Sequence, residues 1–327
     1  DYAAIADAVY AFAQSDDPLA GPVREALQVI DEAFDEWGQD RIALSFNGGK
    51  DCTVLLHLVA ASLGRRSPSQ GEEKRKPLPA VYIPVPSPFP QLEAFIADAA
   101  RAYDLDLFRC APPTPSASTS TSVLPVESVP TPGSAGPPAP LGAGGTEKPK
   151  HAKGGEGMRI ALELYKARFP HIEAILIGTR RGDPHGAQLT FRNPTDAGWP
   201  AFVRVNPIIN WAYGDVWAFL RRFRVPYCSL YDEGYTSLGS TYNTWRNPAL
   251  RVRVREGYPS HLSHPNPSHP TPSHSHSHPH ASSFSSPQTP ATGPAKGSLP
   301  GGEEGAEQER YRPAYELLDG ALERAGR

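Results

Sequence analysis

Apolar positions along the chain fall into two alternating rhythms. Val23, Leu27, Ile30, Phe34 and Trp37 recur at helical spacing and stop at Gly38, which predicts an amphipathic helix ending there. The run Ile42–Phe46 is too short for a helix and is bounded by a polar glycine pair, so it reads as a strand. Lys50-Asp51 then opens a second helical segment, Cys52–Leu63. The same alternation continues with a strand at Ala80–Val85, a helix at Leu92–Tyr103 after the Pro86–Pro90 turn, and a strand at Leu105–Cys110. Further on, Met158–Phe169 is helical, Ala174–Ile177 is a strand ending at Gly178, Phe202–Val205 a strand and Tyr213–Phe223 a helix. Tyr311–Leu322 reads as a last short helix. Strands separated by helices imply an α/β fold, a mostly parallel twisted sheet with helices on both faces. In such sheets ligands bind at the carboxyl ends of the strands. Two polar loops, Asn47–Asp51 and Thr179–Asp183, fall at such ends and are expected to share one site.

Composition changes this picture in two places. Proline, at 37 residues, is about twice its usual share of roughly 5% and is concentrated in two tracts. Pro112–Gly157 is rich in Pro, Ser, Thr, Gly and Ala, and Tyr258–Glu307 in Ser, Pro and His. Neither carries enough large apolar residues to offset the entropy of ordering it, so both are expected to be disordered insertions. Without them roughly 230 residues remain, enough for one α/β domain with a sizeable core. The expected organisation is a single domain over 1–327, interrupted at 112–157 and 258–307, with 308–327 as its C-terminal tail. The histidines from His261 to His280 invite a metal, but they lie in a Pro/Ser tract with no scaffold to orient them.

Charge removes some function classes. The net charge is −3, from 32 Lys and Arg against 35 Asp and Glu, with no basic block, which argues against a nucleic-acid surface. Cys52, Cys110 and Cys228 show no CxxC spacing and are odd in number, which fits a reduced compartment rather than a disulfide framework. No apolar run approaches the roughly 20 residues needed to span a bilayer. Asp1–Gln14 is acidic and helical in pattern, unlike a signal peptide, so a cytoplasmic location without membrane attachment is expected. A monomer acting on small molecules is the matching expectation.

The chemistry sits in the loops. Arg41–Cys52 (RIALSFNGGKDC) is strand, tight loop and helix, a junction that offers free backbone N–H groups and the positive end of a helix to an anion. Gly48 and Gly49 permit the turn, and Lys50 adds a mobile positive charge. Asp51 beside a phosphate site makes sense when a divalent cation lies between them. The G-x-x-x-x-G-K-[ST] pattern is absent, since Leu44 and Asp51 replace its first glycine and its hydroxyl. Thr179-Arg180-Arg181-Gly182-Asp183 follows a strand in the same way; an arginine there suits a phosphate, and a solvated charged turn is the plainer alternative. Asn193–Pro200 is dense in turn residues yet carries Trp199; it suits either a rigid loop for a flat heterocycle or a structural loop whose Trp fills the core.

The string Ser45-Phe46-Asn47-Gly48-Gly49-Lys50-Asp51 resembles the pyrophosphatase loop of ATP-cleaving adenylyl-transfer enzymes. In its Asn47–Cys52 form it looks most like eukaryotic, fungal-type FAD synthases, the FMN adenylyltransferases related to phosphoadenylyl-sulfate (PAPS) reductases. Gly178–Pro184 (GTRRGDP) and the stretch from Pro194 through Leu220 (PTDxGWPxFxRVNPIxxWxYxDVWxFL) continue that resemblance, as do Tyr227–Gly239 and the tail Tyr311–Arg327. The resemblance implies a PAPS reductase-like, adenine nucleotide alpha hydrolase-like fold and transfer of AMP from ATP to FMN, giving FAD and pyrophosphate. It implies that Ser45, Asn47, Gly48, Gly49 and Lys50 hold ATP phosphates, with backbone near Ile83 on the adenine. Gly178, Arg181 and Asp183 would form the second loop, Asp51 and Asp183 orient Mg2+, and Asp196, Trp199 and Arg204 meet the flavin. Arg324 and Arg327 would reach back to the phosphates; a solvated helix end is the alternative for them. Asp215 reads more simply as a first-turn acid of its helix, and Cys228 as a core residue. A PAPS reductase, another ATP pyrophosphatase of the same fold, and a non-catalytic nucleotide-binding module are the competing readings. The first needs a C-terminal cysteine, and none follows Cys228.

Overall fold

The computed structural model describes residues 1–66, 76–110, 155–252 and 309–327. The expected disordered stretches 112–157 and 258–307, with the histidine run, lie outside these residues, except that 155–157 are described. The elements below belong to one compact unit formed by Asp1–Val252 and Tyr311–Arg327. In chain order they are α1 (Tyr2–Ala13), α2 (Ala20–Trp37), β1 (Ile42–Ser45), α3 (Lys50–Arg66), β2 (Leu78–Tyr82), α4 (Pro90–Ala102) and β3 (Leu105–Arg109). After the gap come α5 (Glu156–Arg168), β4 (Ala174–Leu176), β5 (Arg192–Pro194), β6 (Val203–Val205) and α6 (Tyr213–Arg222).

The six strands form one sheet in the order β3-β2-β1-β4-β6-β5. All neighbours are parallel except β5, which runs antiparallel to β6 with Arg192 opposite Val205. Alternation across the pleat decides which layer each side chain joins. Ile42, Leu44, Ala80, Ala174 and Leu176 face the large core built with α1, α2, α3, α4 and α6. Ala43, Val81 and Ile175 face a smaller core in which α5 supplies Ala161 and Tyr165, with Phe202 beside them. Helices thus cover both faces, but unequally. β1 lies at the centre, bonded to β2 on one side and β4 on the other (Leu44 opposite Ala80, Ile42 opposite Ala174). The chain order reverses between β1 and β4, which opens a crevice at their carboxyl ends.

Several elements differ from the expected bounds for local reasons. β2 runs Leu78–Tyr82 rather than Ala80–Val85, because Pro84 and Pro86 cannot donate to a ladder while Leu78 pairs with Leu105. α5 starts at Glu156, inside the expected insertion. β5 has no apolar run and was invisible to the pattern; β6 holds it. The tail is not a helix from Tyr311 to Leu322. It is two single 310 turns, Ala314–Glu316 and Gly320–Leu322, separated by Leu318 at 96% exposure. Asp319 accepts from the Ala321 N–H at 2.9 Å, starting a new turn where a helix would have continued. No helix among the described residues is long and apolar enough to cross a membrane.

Candidate active site

The crevice between β1 and β4 is a cleft of about 520 Å3, lined by the ends of both strands, the start of α3, the segment after β2, and the tail. Its floor is the β1–α3 loop. Gly48 has φ of 72°, and a Cβ there would stand 2.7 Å from Ile96 Cγ1 and 2.8 Å from Leu92 Cδ1, so glycine is required by both backbone and space. Asn47 folds the turn over itself: its Oδ1 accepts from the Gly49 N–H at 3.0 Å and from the Cys52 thiol at 2.9 Å. The Lys50 N–H donates to the Tyr231 hydroxyl at 2.9 Å, fastening the start of α3 to the one-turn 310 helix Ser229–Tyr231. Two of the N–H groups expected to face an anion are therefore already engaged. Burial pushes the Cys52 thiol up to about 12, which favours its protonated form.

The loop after β4 closes against that floor. A Cβ on Gly178 would lie 2.9 Å from both Asp51 C and Cys52 N, so only glycine lets the two loops touch backbone to backbone. The Asp183 carboxylate accepts from the Arg180 N–H at 2.8 Å and turns the loop inward. Arg180 is consequently buried at 3% exposure, with Nε 2.9 Å from Asp51 Oδ1, and Nη2 3.1 Å from Asp183 Oδ1 and 2.6 Å from Glu323 Oε2. Lys50 is buried beside it, with Nζ 3.0 Å from Asp51 Oδ2 and paired with Glu323 Oε1. The expected mobile lysine is thus pinned by two carboxylates.

The electrostatics follow from this packing. Burial alone lowers the Arg180 pKa, but Asp51, Glu323 and Asp183 more than offset it and the guanidinium is held more firmly charged. Burial raises the Asp183 pKa, assisted by Asp51 and opposed by Arg180. Asp51 Oδ1 is buried without an aligned hydrogen bond, since the Arg180 Nε–H nearby is not aimed at it. The tail completes the wall: Arg324 and Arg327 line the cleft, and Arg327 Nη1 donates to the Leu238 carbonyl at 2.8 Å. Burial and the neighbouring Arg324 lower the Arg327 pKa. Thr236 Oγ1 donates to the Glu323 carbonyl at 2.6 Å and Asn247 Nδ2 to the Leu322 carbonyl at 2.8 Å, so the tail backbone is tied down.

Of the residues singled out from the sequence, Ser45, Asn47, Gly49, Lys50, Asp51, Ile83, Gly178, Asp183, Arg324 and Arg327 line this one cleft, with Gly48 inside its floor. Arg181 does not join them. It is exposed, and its Nε and Nη1 donate to Asn210 Oδ1 and the Leu189 carbonyl, both at 2.9 Å. Its neighbour Arg180 is the arginine at the centre. Asp196, Trp199 and Arg204 lie in and beside the β5–β6 loop, where Arg204 Nη2 donates to Asp196 at 3.0 Å and Trp199 stands near Gly155 at the start of α5. Arg180, Glu323 and Tyr231 were not singled out; the arginine pair was the one signal available. Asp215 accepts from the Ala212 N–H at 2.8 Å, as a helix-starting acid does, and Cys228 is buried in the large core.

Sheet and cleft together define an α/β chain with a charged crevice at its strand reversal. The pattern of the phosphoadenosine phosphosulfate reductase domain matches residues 41–127 and 151–246, more than half of the chain. A probable FAD synthase of Caenorhabditis briggsae is 34% identical over 243 residues, covering 73% of this chain and 37% of the relative. A probable FAD synthase of Schizosaccharomyces pombe is 32% identical over 226 residues, covering 69% of each. The crystal structure of Candida glabrata FMN adenylyltransferase in complex with FAD and inorganic pyrophosphate superposes with a TM-score of 0.64 at 25% identity, covering 100% of this chain and 98% of that one. Another crystal of that protein, in complex with FMN and the ATP analog AMPCPP, gives a TM-score of 0.63 at 25% identity, with coverage of 100% and 99%. The chain belongs to the phosphoadenosine phosphosulfate reductase domain family and, within it, to the FAD synthases. It spans 37% of the length of the worm relative.

Proposed function

We propose that this chain is an FMN adenylyltransferase, transferring AMP from ATP to FMN to give FAD and pyrophosphate. The observation that carries this reading is the convergence of both strand-end loops and the tail arginines on one cleft. Relatives carrying the names FAD synthase and FMN adenylyltransferase, one of them crystallised with FMN and an ATP analog, support the same substrates here.

An oxygen of the FMN phosphate attacks the α-phosphorus of ATP in line, forming a P–O bond as the bond to pyrophosphate breaks. A phosphate monoester is already anionic near neutral pH, so no general base is required. The chain's task is to position two polyanions and to neutralise the charge that collects on the leaving group. Ser45, Asn47, Gly48 and Gly49 shape the phosphate floor, and Lys50 with Arg180 supplies buried positive charge beneath it. Arg324 and Arg327 face the phosphates from the tail side, and Gly178 and Asp183 close the second loop. Arg181 supports the outer side of that loop. The segment at Ile83 meets the adenine, and Asp196, Trp199 and Arg204 meet the flavin.

The donor set fits a magnesium ion shared with substrate. Asp51 Oδ1 is a buried carboxylate oxygen with no aligned hydrogen bond, and no group of three or more protein ligands is arranged for a metal among the described residues. Mg2+ typically takes one or two carboxylates and completes its shell with phosphates and water. Asp51 would hold it with Asp183 beside it, and the ion would neutralise phosphate charge. Chromatography of purified protein with FMN, ATP and Mg2+, beside controls lacking each, tests the proposal. Equal amounts of FAD and pyrophosphate are expected, and no FAD would refute it.

A further inference from the structure

Glu323 stands where the cleft reading places a phosphate. Its carboxylate takes Lys50 Nζ on Oε1 and Arg180 Nη2 on both oxygens, at 2.9 and 2.6 Å. Two cations gripping one small anion through two oxygens is the arrangement a phosphate oxygen pair would make with them. Glu323 lies in the tail, next to Arg324, and not in either strand-end loop.

Among the three carboxylates here, the pairing is uneven. If Glu323 withdrew, Lys50 would keep Asp51, and Arg180 would keep Asp51 and Asp183. Asp51 pairs with the same two cations, but the proposed magnesium ion draws on it, and loss of Asp183 would unseat the Arg180 backbone. Glu323 can thus leave without stranding a buried charge. Its backbone is tied by Thr236 and its preceding carbonyl by Asn247, so the side chain can swing while the tail stays docked. The side chain is 13% exposed, less than Asp51 at 22% and Asp183 at 24%, and it lines the cleft between the two cations and the tail.

We infer that Glu323 is an internal competitor for the pyrophosphate-bearing end of the substrate: incoming phosphate displaces its carboxylate from Lys50 and Arg180, and its return helps to expel pyrophosphate. This rests on the adenylyltransferase reading and adds a specificity-determining residue to it. The carboxylate occupies two buried cations between turnovers and sets a threshold that only a strongly anionic ligand passes.

Calorimetric titration of inorganic pyrophosphate with Mg2+ into the full chain tests this with wild type, Glu323→Gln and Glu323→Asp. Glu323→Gln is expected to bind pyrophosphate about tenfold more tightly, the scale of one charge-assisted hydrogen bond no longer competed for, and Glu323→Asp about twofold to threefold. In steady state, KM for ATP and kcat should fall together in Glu323→Gln as pyrophosphate leaves more slowly. A merely structural glutamate gives weaker binding in both variants, and that result, or unchanged affinity, overturns the inference. If pyrophosphate binds to none of the three proteins, the phosphate reading of the cleft falls with it. Binding by wild type with the opposite order of variants removes only Glu323.

Discussion

The charged cleft and the β5–β6 loop are built from the same residue types and differ in how they are held. In the cleft, Lys50 and Arg180 side chains are 3% and 4% exposed and share three carboxylates. In the β5–β6 loop a single pair, Arg204 with Asp196, has its carboxylate 72% exposed. Exposed pairs contribute little, whereas breaking a buried pair strands an uncompensated charge. The charges of the cleft are therefore held in place, as the proposed neutralisation of a leaving group would require. The loop is a looser surface, which suits reading a flat ring by contact and a few hydrogen bonds.

The contrast is most sharply broken at neighbouring residues. Arg180→Ala removes the cation paired with Asp183 and leaves Asp51 and Glu323 with Lys50, and should cost about 3–5 kcal/mol of stability in denaturant unfolding. Arg181→Ala, one residue away, should change stability by no more than about 0.5 kcal/mol. Equal effects would show that the burial difference has no energetic content. Next in size, Asp51→Ala should lower the rate of FAD formation by roughly a hundredfold to a thousandfold while thermal unfolding stays cooperative; normal turnover would take Asp51 out of the mechanism. Gly178→Ala drives a Cβ into the Asp51 and Cys52 backbone and should cost about 1–3 kcal/mol with a loss of activity. Unchanged behaviour would mean the two loops can separate freely.

His57, on the same helix as Lys50 but outside both regions, gives a smaller effect and serves as a control. It is 7% exposed, and its Nδ1 lies 2.8 Å from the Tyr103 hydroxyl; burial lowers its pKa to about 4. The folded state then binds the proton less readily than the unfolded one, so stability is lost as pH falls from the ordinary histidine value toward 4. Between pH 7 and 5 the loss should be about 1–2 kcal/mol. His57→Gln should flatten that part of the profile; an unchanged slope would assign it to other groups.

The parallel sheet and the two strand-end loops were legible because buried parallel strands read as short apolar runs ended by glycine: Ile42–Phe46 before Gly48, and Ala174–Ile177 before Gly178. β5 was not, because Arg-Asn-Pro has no apolar signal and is a strand only through its bonds to β6. The choice between Arg180 and Arg181 depends on the Asp183 carboxylate holding one N–H and the Ile209 carbonyl accepting the other at 2.8 Å. Two adjacent identical residues carry no local trace of that. Glu323 meets Arg180 across 143 residues of chain, a separation that periodicity does not reach. The same limit hid the tail, whose 310 turns are set by docking onto Thr236 and Asn247 rather than by its own pattern.

KM for ATP and KM for FMN, measured side by side in Lys50→Ala and Asp196→Ala, test most directly whether the two regions serve two substrates. The account predicts a raised ATP requirement in the first variant with the FMN requirement near wild type, and the reverse in the second. Parallel shifts of both constants in both variants, in proteins that remain folded, would contradict it.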